Sequence, residues 1–361
     1  MSSTNDLPVL PGLPDVSSIP KKGEAVYLRT SWILNAQVPI LVPTLGVAIR
    51  CLTQREVVDL AEAARRANPF VRHIVSGTRY LERIHNLVDQ TVVQVIRPKF
   101  SEHAQAEMIA LADLTERTVI LCSSLSVKKT TLLRQLAIGP GRRPGFDLTV
   151  GPHFRPIRSR VYSSRTSTGI LIGRRLCARF ENCGFRRLTE VCASGTEIGD
   201  RLKACLWWLS ESRQDPDLAN AIVKTSIALE SLLGLSESEP LSRTLAERAA
   251  FVLGENPVQR KQLSQAFRRF YDARSALVHG RKPRAGLGFN MDSLEAVDRL
   301  VILTTLAVAA NSSVWDSGDS IRLWCEDQRW GITAQQASLP FSSRYVEFAL
   351  RRIQGALAAR P

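Results

Sequence analysis

An arginine and a histidine lie near the end of an apolar helical stretch, in the segment Phe270–Gly280 (FYDARSALVHG). Four residues separate Arg274 from His279, and a glycine follows the histidine directly. Arginine binds phosphate through a planar fork of donors, whereas imidazole titrates near neutral pH and can therefore move protons. The pair thus suits the binding or cleavage of a phosphate ester.

The spacing of the two residues sets a geometric condition. On an ideal α-helix a five-residue step turns by about 140° and rises ~7.5 Å, so Arg274 and His279 would leave different faces. The side chains converge if the last turn loosens, which Gly280 permits, or if the arginine curls back. A purely structural interpretation also exists: the imidazole favours the helix dipole, and the arginine pairs with Asp272 or Glu230.

The charge of the chain points to a polyanionic partner. Its 361 residues include 48 Lys and Arg against 34 Asp and Glu, a net charge of +14. Such an excess favours association with nucleic acid or acidic lipid headgroups. The alternative is that the excess charge only keeps the protein soluble.

Several classes of protein are not expected. No apolar run approaches the ~18 residues of a membrane span. Residues 1–20 lack a basic-then-apolar signal peptide and are predicted to be a flexible lead-in. The seven cysteines are scattered without CxxC spacing, so we expect reduced thiols in a cytoplasmic protein, with no metal site and no cofactor.

A second basic feature is the Arg-rich segment, residues 139–187. It contains eleven arginines against only Asp147 and Glu181. Arginines beside aromatic rings can grip a phosphate backbone and stack on bases. The aromatic residues are Phe146, Phe154, Tyr162, Phe180 and Phe185, and the arginines predicted to bind RNA are Arg142, Arg143, Arg155, Arg158, Arg160 and Arg165. The alternative is a surface hairpin whose aromatic residues lie in the core.

Local patterns divide the chain into a mixed part and a helical part. Strands are predicted at 24–28, 38–42 and 46–49. A capping box of Thr53 and Glu56 begins a helix that stops before Asn68, and a second long helix is predicted at 103–125. Later helices are predicted to start after Asp215 as N-cap and at a capping box of Thr244 and Glu247. The helices of this later part are predicted at 197–211, 216–234, 244–253, 257–279 and 293–310, with a basic helix at 344–358.

Three segments of the later part resemble successive signatures of the Apea-like branch of the HEPN superfamily. They are Ala228–Leu233 (ALESLL), Leu241–Arg248 (LSRTLAER) and Tyr271–Gly280 (YDARSALVHG). The resemblance covers roughly residues 170–312. It implies a helical bundle that forms a homodimer and places two Arg/His motifs around a shared cleft.

The resemblance also implies an activity. Many members cleave RNA without a metal, and several act as toxins or as defences against phage, so RNA, a second copy and an unknown trigger or antitoxin are the implied partners. Arg274 and His279 match the motif, and Ser275 stands where the family often has Asn or another polar residue. These three are the predicted catalytic residues. Other members have lost activity, so a non-catalytic dimerisation module that binds nucleotide, RNA or protein is the alternative.

The combined prediction is an α+β protein of several parts. A lead-in at 1–20 precedes an N-terminal mixed α/β domain at 21–170, which ends in the Arg-rich segment. An all-α HEPN bundle follows at 171–312, and a C-terminal helical extension at 313–361. A weaker third reading places the basic C-terminal helix on a membrane surface, but it offers only Tyr345 and Phe348 as aromatic anchors.

Overall fold

The chain divides into two compact units in the computed structural model. The first comprises Met1–Asp113 and Arg143–Ser164, and the second comprises Leu114–Arg142 and Arg165–Pro361. The residues that the structure describes are 25–31, 34–67, 84, 90–98, 101–126, 142–150, 156–165, 170–234, 241–280, 289–332 and 336–358.

The first unit is built on an antiparallel sheet. Its six strands lie in the order β3-β4-β5-β1-β6-β7, with β1 central and Tyr27 of β1 opposite Val95 of β5. Tyr27, Leu28, Val93 and Val95 are almost fully buried, because these strands carry apolar side chains on both faces. The six strands of the sheet are β1 (Ala25–Thr30), β3 (Ile40–Val42), β4 (Val47–Cys51), β5 (Thr91–Arg97), β6 (Arg142–Val150) and β7 (Pro156–Arg165), and a separate short strand, β2 (Leu34–Ala36), lies outside this sheet.

Two helices belong to this part of the chain. Helix α1 (Gln54–Ala67) begins at the predicted capping box: Thr53 Oγ1 accepts from the Glu56 N–H at 3.3 Å, and Glu56 Oε2 accepts from the Thr53 N–H at 2.8 Å. Helix α2 (Glu102–Ser123) is long, and the division between the two units falls within it, after Asp113. Both helices were predicted from the sequence, with ends that differ by one or two residues at most.

The second unit is almost entirely helical. A short strand, β8 (Ile170–Ile172), precedes a series of helices joined by short connections. They are α3 (Arg174–Asn182), α4 (Phe185–Ala193), α5 (Glu197–Gln214), α6 (Leu218–Leu233), α7 (Leu241–Leu253), α8 (Pro257–Val278), α9 (Met291–Ala310), α10 (Gly318–Trp330) and α11 (Arg344–Ala358).

Helix α9 forms the centre of the second unit. Every residue from Ser293 to Ala309 is buried, and α9 packs against α4 to α8 and against α11. It begins at Asn290, whose Oδ1 accepts from the Ser293 N–H at 2.9 Å. A helix that is buried on all sides organises its neighbours around it.

The structure confirms the predicted α+β class but corrects several local predictions. Asp217, not Asp215, caps α6, and its Oδ1 accepts from the N–H of Ala219 at 2.9 Å. Asp215 instead pairs with Lys224 Nζ at 2.8 Å, because the turn before α6 is two residues longer than predicted. Thr244 lies inside α7, which begins three residues earlier, so it does not form the predicted cap.

Among the described helices, α3 and α4 were not predicted, and α10 lies in the predicted helical extension at 313–361 without bounds of its own having been predicted. The first two lie where the sequence is rich in arginine, so the short apolar face of each helix is difficult to recognise. The division into two units groups residues 114–142 and 313–361 with the helices of the second unit. The sequence-based boundaries at 20, 170 and 312 were drawn from composition and resemblance, and they stay predictions.

Candidate active site at the end of helix α8

The local sequence explains why α8 starts and stops where it does. Asn256 Oδ1 accepts from the Gln259 N–H at 2.9 Å, and Pro257 occupies the first turn, where its missing N–H costs nothing. At the other end His279 is the C-cap, and Gly280 follows with φ of 62°. This left-handed conformation is one that glycine adopts readily and other residues do not.

The last turn of α8 is tightened. The His279 N–H still donates to the Ser275 carbonyl at 3.0 Å, but the Gly280 N–H donates to the Leu277 carbonyl at 3.3 Å, one residue nearer. The imidazole of His279 is exposed at this end, while Ser275 is half-buried. The helix therefore tightens at Gly280, and the loosening that would let the side chains of Arg274 and His279 converge is not seen in this turn.

Arg274 lies partly inside the bundle. Its side chain is 28% exposed, and its Nη2 is 3.8 Å from Oε1 of Glu230, whose side chain is 21% exposed. Glu230 lies on α6, one of the helices against which α8 packs. Within the described residues no hydrogen bond joins Arg274 to His279.

The partly buried surroundings of Arg274 disfavour the ionised forms of the neighbouring acidic side chains. Burial raises the pKa of the Glu230 carboxyl above its usual range, although the charge of Arg274 lowers it. Tyr271 lies one turn before Arg274, and burial, followed by the charge of Glu230, raises the pKa of its hydroxyl well above the ordinary value. Glu230 Oε1, Tyr271 Oη and Arg274 Nε are buried atoms that have no hydrogen-bond partner among the described residues.

A second buried polar cluster provides a contrast. Thr225 Oγ1 donates to Asp298 Oδ1 at 2.8 Å, and the hydroxyls of Ser212 and Thr225 are 2.8 Å apart. Arg213 donates from Nη2 to Ser124 Oγ at 3.1 Å and lies 3.8 Å from Asp298. The side chains of Ser212, Thr225 and Asp298 bond closely to each other, which is typical of a structural network. The cluster of Glu230, Tyr271 and Arg274 is more loosely bonded.

The Arg-rich segment is distributed over both units. Phe180 and Phe185 are buried in the second unit with ring centroids 5.5 Å apart, so they cannot stack on bases. For these two rings the alternative of a core position is correct. Arg155 lies outside the described residues, and the other arginines predicted to bind RNA lie on β6 and β7, where their role stays a prediction: Arg142, Arg143, Arg158, Arg160 and Arg165.

Comparison with known proteins identifies no match to this chain. No protein-family model, no curated protein and no solved structure matches the chain. Among the helices that the structure describes, none combines the length and apolar character needed to cross a membrane. Within the same residues no group of three or more His, Cys, Asp or Glu side chains is placed to hold a metal ion.

One residue of the site was not singled out from the sequence. Tyr271 precedes Arg274 by three residues, and that spacing places both side chains on the same face of a helix. The signal was thus present, but a tyrosine beside Phe270 is equally typical of a core position. Glu230, by contrast, was named as a carboxylate that Arg274 could pair with.

Proposed function

We propose that the protein is a metal-independent endoribonuclease of HEPN type, with Arg274 and His279 as its catalytic residues. The observation that carries the proposal is the state of the two side chains. An exposed imidazole ends α8, and one turn and a half before it lies a guanidinium whose partner among the described residues is a carboxylate at 3.8 Å. Because this ion pair is long, the guanidinium N–H groups of Arg274 can also donate hydrogen bonds to a phosphate.

The proposed reaction is the attack of a ribose 2′-OH on the adjacent phosphorus. His279 takes the proton of the 2′-OH or gives one to the leaving 5′-oxygen, and Arg274 stabilises the charge on the phosphoryl oxygens. The products are a 2′,3′-cyclic phosphate and a free 5′-OH. Ser275 would donate a hydrogen bond to the phosphate beside Arg274, and it stands in the position where the resembled family often has Asn or another polar residue.

A second copy of the chain is part of the proposal. Because Arg274 is directed towards Glu230 and His279 towards solvent, one motif alone does not converge on a single phosphate. Two motifs across a two-fold axis would supply one histidine and one arginine to each phosphate. The arginines of β6 and β7 are proposed to add affinity for RNA, and a role as toxin or phage defence follows from the resemblance.

The decisive experiment uses RNA in the presence of EDTA. Wild type, His279→Ala and Arg274→Ala are incubated with a labelled oligoribonucleotide and with the same sequence as DNA. Wild type is expected to leave cyclic phosphate ends on RNA alone, and either variant to cut at least ~100-fold more slowly. His103→Ala is the matched control, since His103 is an 86% exposed histidine in the first unit.

Undiminished cleavage by His279→Ala would contradict the proposal. Growth arrest on expression of wild type, but not of Arg274→Ala, would support a toxin or defence role. Absence of both cleavage and arrest would favour the alternative.

The alternative function is a non-catalytic HEPN dimerisation module that binds nucleotide, RNA or a protein. The observation that favours it is the pairing of Arg274 with Glu230, which gives the arginine a structural role. Such a module binds an oligonucleotide without cutting it. If RNA is the ligand, the affinity falls steeply with added salt, because each phosphate contact releases counterions.

A further inference from the structure

Five exposed arginines lie on the first two helices that follow β8 in the second unit. From Gly173 to Arg187 the chain carries these five arginines against one carboxylate, that of Glu181. Each arginine is exposed to solvent, and together they are called the α3–α4 patch: Arg174, Arg175, Arg179, Arg186 and Arg187. None of them is one of the arginines of β6 and β7. The patch is therefore a basic surface of the helical unit itself.

Packing leaves these side chains on the solvent side. Helices α3 and α4 pack against each other, and α4 also packs against α5 and α9. Phe180 of α3 and Phe185 of α4 are buried, with ring centroids 5.5 Å apart. The apolar side of each helix thus faces the interior, so its arginines project from the surface.

The positions of the arginines do not stabilise the two helices. Arg174 and Arg175 occupy the first turn of α3, and Arg186 and Arg187 occupy the first turn of α4. Neither first turn holds an acidic residue. Because the helix dipole disfavours positive charge in a first turn, helix stability does not explain these four arginines.

Little within the protein neutralises the patch. Arg174 and Arg175 make no hydrogen bond and no ion pair with any residue that the structure describes. Nη2 of Arg186 lies 2.7 Å from Oε1 of Glu181, but each side chain is 45% exposed, so water screens the pair. The patch thus keeps most of its positive charge for a partner.

The patch lies near the opposite end of α9 from the end of α8. Nη2 of Arg187 donates to Oγ of Ser312 at 2.7 Å, just after α9 ends. Before α9 begins, Phe289 contacts Phe270 of α8, with ring centroids 5.9 Å apart. The 20 residues of α9 span about 30 Å. The patch is therefore a surface separate from the site at the end of α8.

We propose that the α3–α4 patch binds the phosphate backbone of RNA as a second contact surface of the protein. Guanidinium groups donate paired hydrogen bonds to phosphate oxygens, and such contacts supply affinity without reading sequence. The aromatic rings of α3 and α4 are those of Phe180 and Phe185, which are buried and do not stack on bases. Binding at the patch is therefore independent of base sequence. The proposal rests on the proposed RNA substrate but not on its cleavage.

An acidic membrane surface is a poorer fit for the patch. A helix that binds a bilayer surface places an apolar face among the lipid headgroups. The apolar face of α3 is instead used inside the unit, where Phe180 is buried. In the described stretch 170–193 the exposed large apolar side chain is that of Leu171 alone. RNA, which needs only cationic contacts, is the better match.

The test is RNA binding by the full chain at several salt concentrations. Fluorescence anisotropy is measured with a labelled 2′-O-methyl oligoribonucleotide, which is bound without being cut. Arg174→Gln/Arg175→Gln is expected to lower the affinity at least about fivefold. It should also reduce the slope of log K against log salt by about 1.4, because each contact with a single strand contributes ~0.7. Arg186→Gln/Arg187→Gln, which shares no residue with the first variant, is expected to weaken binding in the same way.

Arg322→Gln/Arg329→Gln is the matched control. It removes the same charge from α10, where each arginine pairs with a carboxylate. We expect its affinity to stay within about twofold of wild type. An equal loss from the control and the patch variants would mean that only net charge matters. Unchanged binding by both patch variants would mean that the patch does not bind RNA, and either result overturns the proposal.

Two further measurements separate this proposal from its neighbours. The same proteins are offered vesicles of phosphatidylcholine and phosphatidylserine. Vesicle binding that Arg174→Gln/Arg175→Gln loses, with RNA binding unchanged, would overturn RNA as the partner. Cleavage of unmodified RNA in EDTA is scored separately. If wild type does not cut RNA but the patch variants bind it more weakly, the ribonuclease proposal fails and the RNA-binding surface stands; if wild type cuts and both patch variants bind as wild type does, the surface alone fails.

Discussion

Replacing Glu230 by Gln separates the two roles considered for Arg274. Glutamine keeps the size and shape of the side chain and removes its charge. If Arg274 serves to bind phosphate, Glu230 competes for its guanidinium, and Glu230→Gln should therefore bind RNA more tightly. If Arg274 is structural, the substitution should leave RNA binding unchanged.

The size of the effect follows from the pair. Opposite charges 3.8 Å apart attract by about 1 kcal/mol in water and by several times that in a poorly solvated site. Both side chains are more than a fifth exposed, which limits the pair to about 1 kcal/mol, the upper end of the values for exposed pairs. Release of that attraction corresponds to roughly a fivefold gain in affinity.

The assay is fluorescence anisotropy with a labelled oligoribonucleotide that carries 2′-O-methyl groups, so that binding is measured without cleavage. Glu247→Gln is the matched control: it removes the same charge from a carboxylate that pairs with Arg243 and Arg268 on the surface of the helical unit. We expect Glu230→Gln to bind about fivefold more tightly, Glu247→Gln to change affinity by less than twofold, and Arg274→Ala to bind more weakly than wild type. An equal gain from both Glu variants would mean that only net charge matters, and unchanged binding by Arg274→Ala would refute the assignment.

Two other perturbations test the same region. Gly280→Ala and Gly331→Ala both place a methyl group in open space at positive φ, 62° and 68°, so each should cost about 1–2 kcal/mol of unfolding free energy, measured by urea denaturation. Only Gly280→Ala should also slow RNA cleavage. Equal cleavage rates for the two variants would mean that the end of α8 takes no part in the activity. Burial raises the pKa of the Glu230 carboxyl in the folded chain, so its ionised form costs stability at neutral pH, and that cost vanishes below the pKa of the unfolded chain. The unfolding free energy of Glu230→Gln, measured relative to that of wild type, should thus increase as the pH rises from about 4 to about 7. A difference between the two proteins that does not vary with pH would contradict this.

Helix ends were predictable where a single side chain decides them. The capping box of Thr53 and Glu56 forms as predicted, and α8 keeps the predicted bounds of 257–279 to within one residue, because a helix end depends on residues within one turn. Asp215 failed because Asp217 offers the same chemistry two residues later. Local rules cannot choose between two acceptable caps that lie two residues apart.

Side-chain partners across helices were less predictable. The spacing of Arg274 and His279 marked a candidate site, but its orientation towards Glu230 depends on how α6 packs against α8. The position of Phe180 and Phe185 in the core likewise depends on helices that an Arg-rich composition concealed.

The complete burial of α9 has a consequence for how the protein is made. As the chain leaves the ribosome, α4 to α8 emerge first, and each carries an apolar face that α9 will cover. Until residue 310 has been synthesised these faces have no common surface to pack on, and α11 must still follow to cover α9 itself. The helical unit therefore matures late in translation, and a message that ends before α9 would yield a sticky fragment for chaperones and proteases rather than a smaller folded domain.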